Sequence, residues 1–227
     1  MTAILSNLQA VKLAVVRAAR TAGRSGDEVR LLAVSKTFAA EAVREAYHAG
    51  QLAFGENYLQ EALDKIEALR DLPLEWHFIG PIQSNKTRPI AEHFAWVHSV
   101  DRLKIAERLS AQRPAELPPL NVCLEVNVSG EASKSGVAPA ELLPLARAVA
   151  ALPCIRLRGL MAIPAPAADE DAQRAPFAQM RRLLEDLQRQ GLPLDTLSMG
   201  MSHDFAAAIR EGATIVRVGT AIFGARH

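Results

Sequence analysis

The sequence predicts an α/β fold: a single (β/α)8 TIM-type barrel over residues 1–227, with an extra N-terminal helix. Three observations carry this reading. Eight apolar segments of strand length recur along the chain, each separated from the next by enough residues for a crossover helix. The first strand lacks the Gly-rich turn that an open doubly wound sheet would carry after it. The Pro-rich stretches at 112–120 and 163–176 separate no self-contained units, so both read as longer connections within one domain.

The elements follow in order. Ile4, Leu8, Val11 and Val15 recur at helical spacing and predict an amphipathic first helix packed on the barrel. Its basic residues Lys12, Arg17, Arg20 and Arg24, with no acid before Asp27, resemble a transit peptide, but the apolar spacing favours a packed helix. The predicted strands are LLAVSKT (31–37), AFGEN (53–57), EWHFIG (75–80), WVHSV (96–100), NVCLEVNV (121–128), LRGLMAI (157–163), TLSMGMS (196–202) and IVRVGTAIFG (215–224). Between them, AAEAVREAYHAG reads as a helix stopped by Gly50, and DRLKIAERL as one capped by Asp101.

Composition narrows the function classes. Hydrophobic residues at 49% and charged residues at 22% describe an ordinary globular domain. A net charge of +1, from 26 basic and 25 acidic residues, gives no field that would draw in nucleic acid. Cys123 and Cys154 form no CxxC and no Cys/His cluster, so no metal site is expected and both thiols read as core residues. No apolar run reaches the ~18 residues of a membrane span, and no secretory leader opens the chain, so a cytoplasmic protein without membrane contact is expected.

The chemistry-bearing residues gather at strand ends. Leu32, Val34 and Lys36 share one face of the first strand, which puts Lys36 at the carboxyl end where barrels build their sites. Apolar neighbours disfavour its ammonium form, and a neutral lysine amine can condense with an aldehyde. Alone, Lys36 reads more readily as a snorkelling rim lysine. In the last strand Arg217 and Gly219 share a face, with Thr220 directly after, and Ser202 ends the seventh strand. Singly these are an ion-pair partner, a packing glycine and a helix cap; together they suit a phosphate. An amine for an aldehyde beside a cradle for a phosphate describes the two ends of pyridoxal 5′-phosphate (PLP).

The segments AVSKT, FGENYLQEA, WHFIGPIQSNK, SKSG, RGLMAI, LSMGMSHD and IVRVGTAIFG, in order along nearly the whole chain, resemble the YggS/PROSC family of PLP homeostasis proteins. The resemblance implies a barrel like the N-terminal domain of alanine racemase. It also implies Lys36 as the Schiff-base lysine, Asn57 facing the cofactor ring, and Ser202, Gly219 and Thr220 at the phosphate. Arg217 would face the pyridine nitrogen and Met161 would pack nearby; His203 stands outside the family pattern.

An arginine on the ring nitrogen only donates, so that nitrogen stays unprotonated and the cofactor is a weaker electron sink. No catalytic residue is therefore expected, and the implied role is reversible holding of PLP and supply to apo-enzymes, by a protein expected to be a monomer. The alternative is a PLP-dependent amino-acid racemase, which needs an acid/base on each face of its substrate. Lys36 could serve one face; of the two tyrosines, Tyr47 lies in the first crossover helix and Tyr58 beside Asn57. The chain is also expected to end soon after its eighth strand, without the second domain a racemase uses. His77 reads as a satisfied core histidine, Glu56, Gln60 and Glu61 as anchors of the second helix or hydrogen-bond partners around Asn57, and Lys86 and Lys134 as solvated rim lysines that could help capture or release a phosphate.

Overall fold

The structure, a computed structural model, describes residues 3–131, 135–165, 167 and 169–225; Lys134 lies outside them. Its strands are β1 (Arg30–Val34), β2 (Ala53–Glu56), β3 (Glu75–Phe78), β4 (Trp96–Val100), β5 (Leu120–Glu125), β6 (Ile155–Met161), β7 (Thr196–Ser198) and β8 (Ile215–Val218). They pair in parallel in chain order, and β8 returns to β1 with Leu32 opposite Arg217, closing the barrel. The helices are α1 (Ala3–Thr21), α2 (Ala40–His48), α3 (Leu59–Ala68), α4 (Thr87–His93), α5 (Leu103–Gln112), α6 (Leu142–Ala150), α7 (Glu170–Arg189), α8 (Phe205–Arg210) and α9 (Thr220–Phe223).

Alternation sorts the strand residues as the pattern requires. Leu32, Val34, Ala53, Ile79, Trp96, Cys123, Met161 and Ile215 form one cluster inside the barrel. Ala33, Phe54, Phe78, Val97, Val122 and Leu124 belong to the larger core between sheet and helices. The fully buried Phe54 and Phe78 there each contribute about 2–3 kcal/mol of apolar burial. Helix α1 buries Leu8, Val11, Val15 and Ala19, and Asn7 Nδ2 donates to the Ile222 carbonyl at 3.1 Å. That bond ties the N-terminal helix to the chain that follows the last strand.

The structure corrects four expectations. Strands end earlier than the apolar runs, so Lys36 lies two residues beyond β1 in the turn at the barrel mouth. The last run splits: the Gly219 carbonyl accepts the N–H groups of Ile222 and Phe223 at 2.8 and 3.0 Å, and Thr220–Phe223 becomes helix. Asp101 does not cap α5; its carboxylate takes the Arg102 guanidinium instead. The stretch 163–176 is a connection only at its start, because Asp169 accepts from Ala172 N at 2.8 Å and opens α7 with Pro176 inside it. Phe177, Met180, Leu184 and Leu187 give that helix a buried stripe, which offsets the bond the proline forfeits.

Of the two thiols, Cys123 is buried and Cys154 only partly so, and both are free. Among the described residues no group of His, Cys, Asp or Glu could hold a metal ion, and no helix is long and apolar enough to cross a membrane.

Candidate functional site at the barrel mouth

The turn that presents Lys36 is built by charges. Lys65, buried on the wall-facing side of α3, donates to the Ser35 carbonyl at 2.7 Å and to Glu56 Oε1 at 2.8 Å, and pairs with Glu61 Oε1 at 2.5 Å. The same Glu61 oxygen accepts the Thr37 N–H at 2.6 Å, and the Ser35 hydroxyl donates to Glu56 at 2.6 Å. The two residues flanking Lys36 are thus pinned, and Thr37 sits at φ 69°, a left-handed backbone that a β-branched residue seldom adopts. Glu56 and Glu61 therefore anchor this turn rather than bond Asn57, while Gln60 donates to Asp64 at 3.1 Å. Burial pushes the Glu56 carboxyl up from its ordinary value against the pull of Lys65.

Across the mouth, Gly200 at φ 91° turns the chain after β7. A side chain there would meet the Ala208 Cβ at 2.6 Å, so only glycine lets the turn sit on α8. Met201 N–H then donates to Asp204 Oδ1 at 2.6 Å, which sets the position of Ser202 between them. A Cβ on Gly219 would meet the Val34 carbonyl at 3.0 Å, so this glycine also lets β8 approach β1 closely.

Arg217 is 4% exposed. Its Nη1 donates to the Ser198 carbonyl at 2.6 Å and to Ser198 Oγ at 2.8 Å, and its Nη2 to the Ala162 carbonyl at 2.9 Å. Burial lowers its pKa to about 10, with Asp204 and Glu125 pulling the other way, so it stays cationic at neutral pH.

These elements enclose a cavity of about 160 Å³ lined by Lys36, Asn57, Ser202, Arg217, Gly219 and Thr220, with Val34, Ile79, Ile163, Met201 and His203. Six of the seven residues expected at a cofactor are brought together here. Met161 is not on the lining; it is fully buried in the barrel-interior cluster that also holds Val34 and Ile79. His203 joins the lining although the sequence pattern gave it no role.

A second cavity of about 250 Å³ adjoins the first, sharing Asn57, Ile79 and Ile163, and adds Glu125. Burial pushes the Glu125 carboxyl up to about 7, with Asp101 adding to the rise and Arg217 opposing it. Sequence reading missed this acid, whose signal was its place on the inner face of β5 two residues from Cys123. Tyr58 is 55% exposed and Tyr47 lies on α2; neither lines the mouth cavities. Lys86 is exposed in the short helical turn Ser84–Lys86.

A closed parallel barrel with a lysine after its first strand and polar groups after its seventh and eighth defines a class. The family model described as alanine racemase, N-terminal domain, matches residues 6–227. The pyridoxal phosphate homeostasis protein of Pseudomonas aeruginosa is 68% identical over 226 residues, covering 100% of this chain and 97% of that one. Among solved structures, PipY of Synechococcus elongatus with PLP bound has a TM-score of 0.81 at 44% identity, covering 87% of this chain and 93% of PipY. Alanine racemase of Corynebacterium glutamicum shares the fold at a TM-score of 0.69 and 21% identity, over 97% of this chain and 59% of the enzyme. The chain belongs to the alanine racemase N-terminal domain family and, within it, to the pyridoxal phosphate homeostasis proteins.

Proposed function

We propose that this protein binds PLP at the barrel mouth, serves intracellular PLP homeostasis, and supplies the cofactor to apo PLP-dependent enzymes rather than catalysing with it. The observation that carries the reading is the single cavity holding Lys36, Asn57, Ser202, Arg217, Gly219 and Thr220. Lys36 is the covalent anchor, Ser202, Gly219 and Thr220 take the phosphate, and Asn57 and Arg217 face the ring. Bound there, PLP supplies an aldehyde for reversible attachment and an electron sink that strengthens when its ring nitrogen is protonated.

The residues fit that group. Asn57 Oδ1 is buried with no hydrogen-bond partner, the kind of atom a ligand satisfies. Arg217 spends three of its N–H groups on protein acceptors, which leaves Nε–H and one Nη2–H for a ligand in the cavity it lines. Because guanidinium only donates, Arg217 favours an unprotonated ring nitrogen, which suits holding more than carbanion chemistry. We assign the protein to the cytoplasm as a monomer; the free thiols of Cys123 and Cys154 accord with a reducing compartment.

The test is visible absorbance and intact mass after borohydride reduction, for wild type and Lys36→Ala. Wild type should carry one phosphopyridoxyl group on Lys36 and the variant none; an unmodified wild type refutes the reading. One observation favours a racemase instead: Glu125, titrating near neutrality beside the cavity, is a candidate second acid/base. Turnover of an L-amino acid to its D-form by the PLP-loaded protein would establish that alternative.

A further inference from the structure

The barrel interior holds a row of polar groups that neither the anchor nor the phosphate cradle uses. Ser198 Oγ lies 2.7 Å from His98 Nδ1, His98 Nε2 lies 2.9 Å from His77 Nδ1, and His77 Nε2 lies 2.5 Å from Glu75 Oε1. Glu75 Oε1 also meets Arg30 Nη1 at 2.7 Å. His77 and His98 are both 0% exposed, whereas the Glu75 side chain is 34% exposed. The row therefore runs from Arg217 through the buried barrel to the amino-terminal ends of β1 and β3.

Donor logic gives every link the same direction. Arg217 can only donate, so Ser198 Oγ accepts from it and keeps its one proton available for His98 Nδ1. A ring nitrogen that accepts leaves the proton of neutral His98 on Nε2, which donates to His77 Nδ1. His77 then carries its proton on Nε2 and donates to the Glu75 carboxylate. The Glu75 end fixes the direction: against burial that raises it, its carboxyl is held down at about 2 by the His77 hydrogen bond and the Arg30 guanidinium, so it is ionised and can only accept. Burial lowers both histidines, which keeps the imidazoles neutral and the chain consistent.

We infer that Ser198, His98 and His77 are positioning residues forming a one-way hydrogen-bond relay that couples the Glu75 carboxylate to the Arg217 guanidinium and, through it, to the cofactor ring. Each bond strengthens the next, because an acceptor made more basic by the carboxylate is a better acceptor for the donor above it. Among the described residues, other charged groups near the relay are Arg158, lying 4.9 Å over the Trp96 ring that stacks on His77, its ion-pair partner Asp195, and Glu125 and Asp204 near Arg217. None of these is hydrogen-bonded into the row.

The inference rests on PLP binding at Lys36, and a double-mutant cycle tests it separately. The readout is the pH midpoint of the visible absorbance of PLP-loaded protein, for wild type, Glu75→Gln, Ser198→Ala and the double variant. Ser198→Ala leaves Arg217 its two carbonyl partners but takes the donor from buried His98 Nδ1, at a cost of about 1–3 kcal/mol, so urea unfolding of the variant first checks that it is folded. Glu75→Gln should lower the midpoint by about half a pH unit, since a negative charge is lost. In the Ser198→Ala background that shift should largely vanish. A shift of equal size in both backgrounds means plain through-space electrostatics and overturns the relay, as does no shift from Glu75→Gln alone. Absence of the phosphopyridoxyl adduct in wild type would sink the functional reading instead.

Discussion

Behind Lys36 stands an ionised cluster: a buried ammonium, Lys65, between the carboxyls of Glu56 and Glu61, with Ser35 and Thr37 tied to it. Behind Arg217 stands a chain of two neutral imidazoles and a hydroxyl that meets charge only at its ends. Both hold a basic side chain at the same mouth. The first does so by opposite charges that oblige one another, the second by bond direction. A cluster of that kind fails when one member is removed; a chain of tautomers fails when a proton is added.

The largest effect should follow Lys65→Met, which leaves the fully buried Glu56 without its counter-charge. Loss of one partner of a buried pair costs about 3–5 kcal/mol, read by urea unfolding at pH 8. Acid should shrink that deficit. Burial already raises the Glu56 pKa, and removing Lys65 raises it further; such a group destabilises the fold as pH rises through its folded pKa and is relieved below it. A deficit that stays constant from pH 8 to pH 5 would mean the cost is packing rather than charge.

The histidine chain should respond to acid in the opposite sense. His77 and His98 have pKa values lowered below 6.5 by burial, so below that pH the unfolded chain binds protons that the native state refuses. Wild-type stability should fall by about 1–2 kcal/mol between pH 7 and pH 5.5. A His77→Gln, His98→Gln double variant should start less stable at pH 7 yet lose that slope in the same urea titrations. An unchanged slope would show that the imidazoles are not held neutral.

The two networks were not equally legible in the sequence. Lys36, Ser202, Arg217, Gly219 and Thr220 could be found because strand alternation puts them at carboxyl ends and the family resemblance gives each a role. Lys65 had a signal too, since it shares a buried helix face with Ala62 and Leu69, where a lysine needs a partner. The relay was hidden because its bonds join residues 21 and 100 positions apart, and only barrel closure brings them together. His77 was legible as a satisfied histidine, but not what satisfies it. The helix Thr220–Phe223 was missed because a short apolar run carries no period that separates strand from helix.

The smallest change tests whether the ionised cluster, rather than the residue it pins, sets the Lys36 turn. Thr37 is held left-handed at φ 69°, which costs a β-branched residue about 1–3 kcal/mol. Glycine removes that strain and gives back about 0.5–1 kcal/mol through its freer unfolded chain. Thr37→Gly should therefore raise stability by about 1 kcal/mol, within bounds of roughly 0–2.5 set by those two figures, seen as a higher urea midpoint with unchanged m. The bonds that hold the turn come from the Ser35 carbonyl and the Thr37 N–H, both of which the variant keeps. Borohydride reduction should then place the phosphopyridoxyl group on Lys36 at the wild-type yield. A stabilised variant that no longer takes PLP would instead mean that strain at Thr37 is what presents the lysine, with the charges only tolerating it.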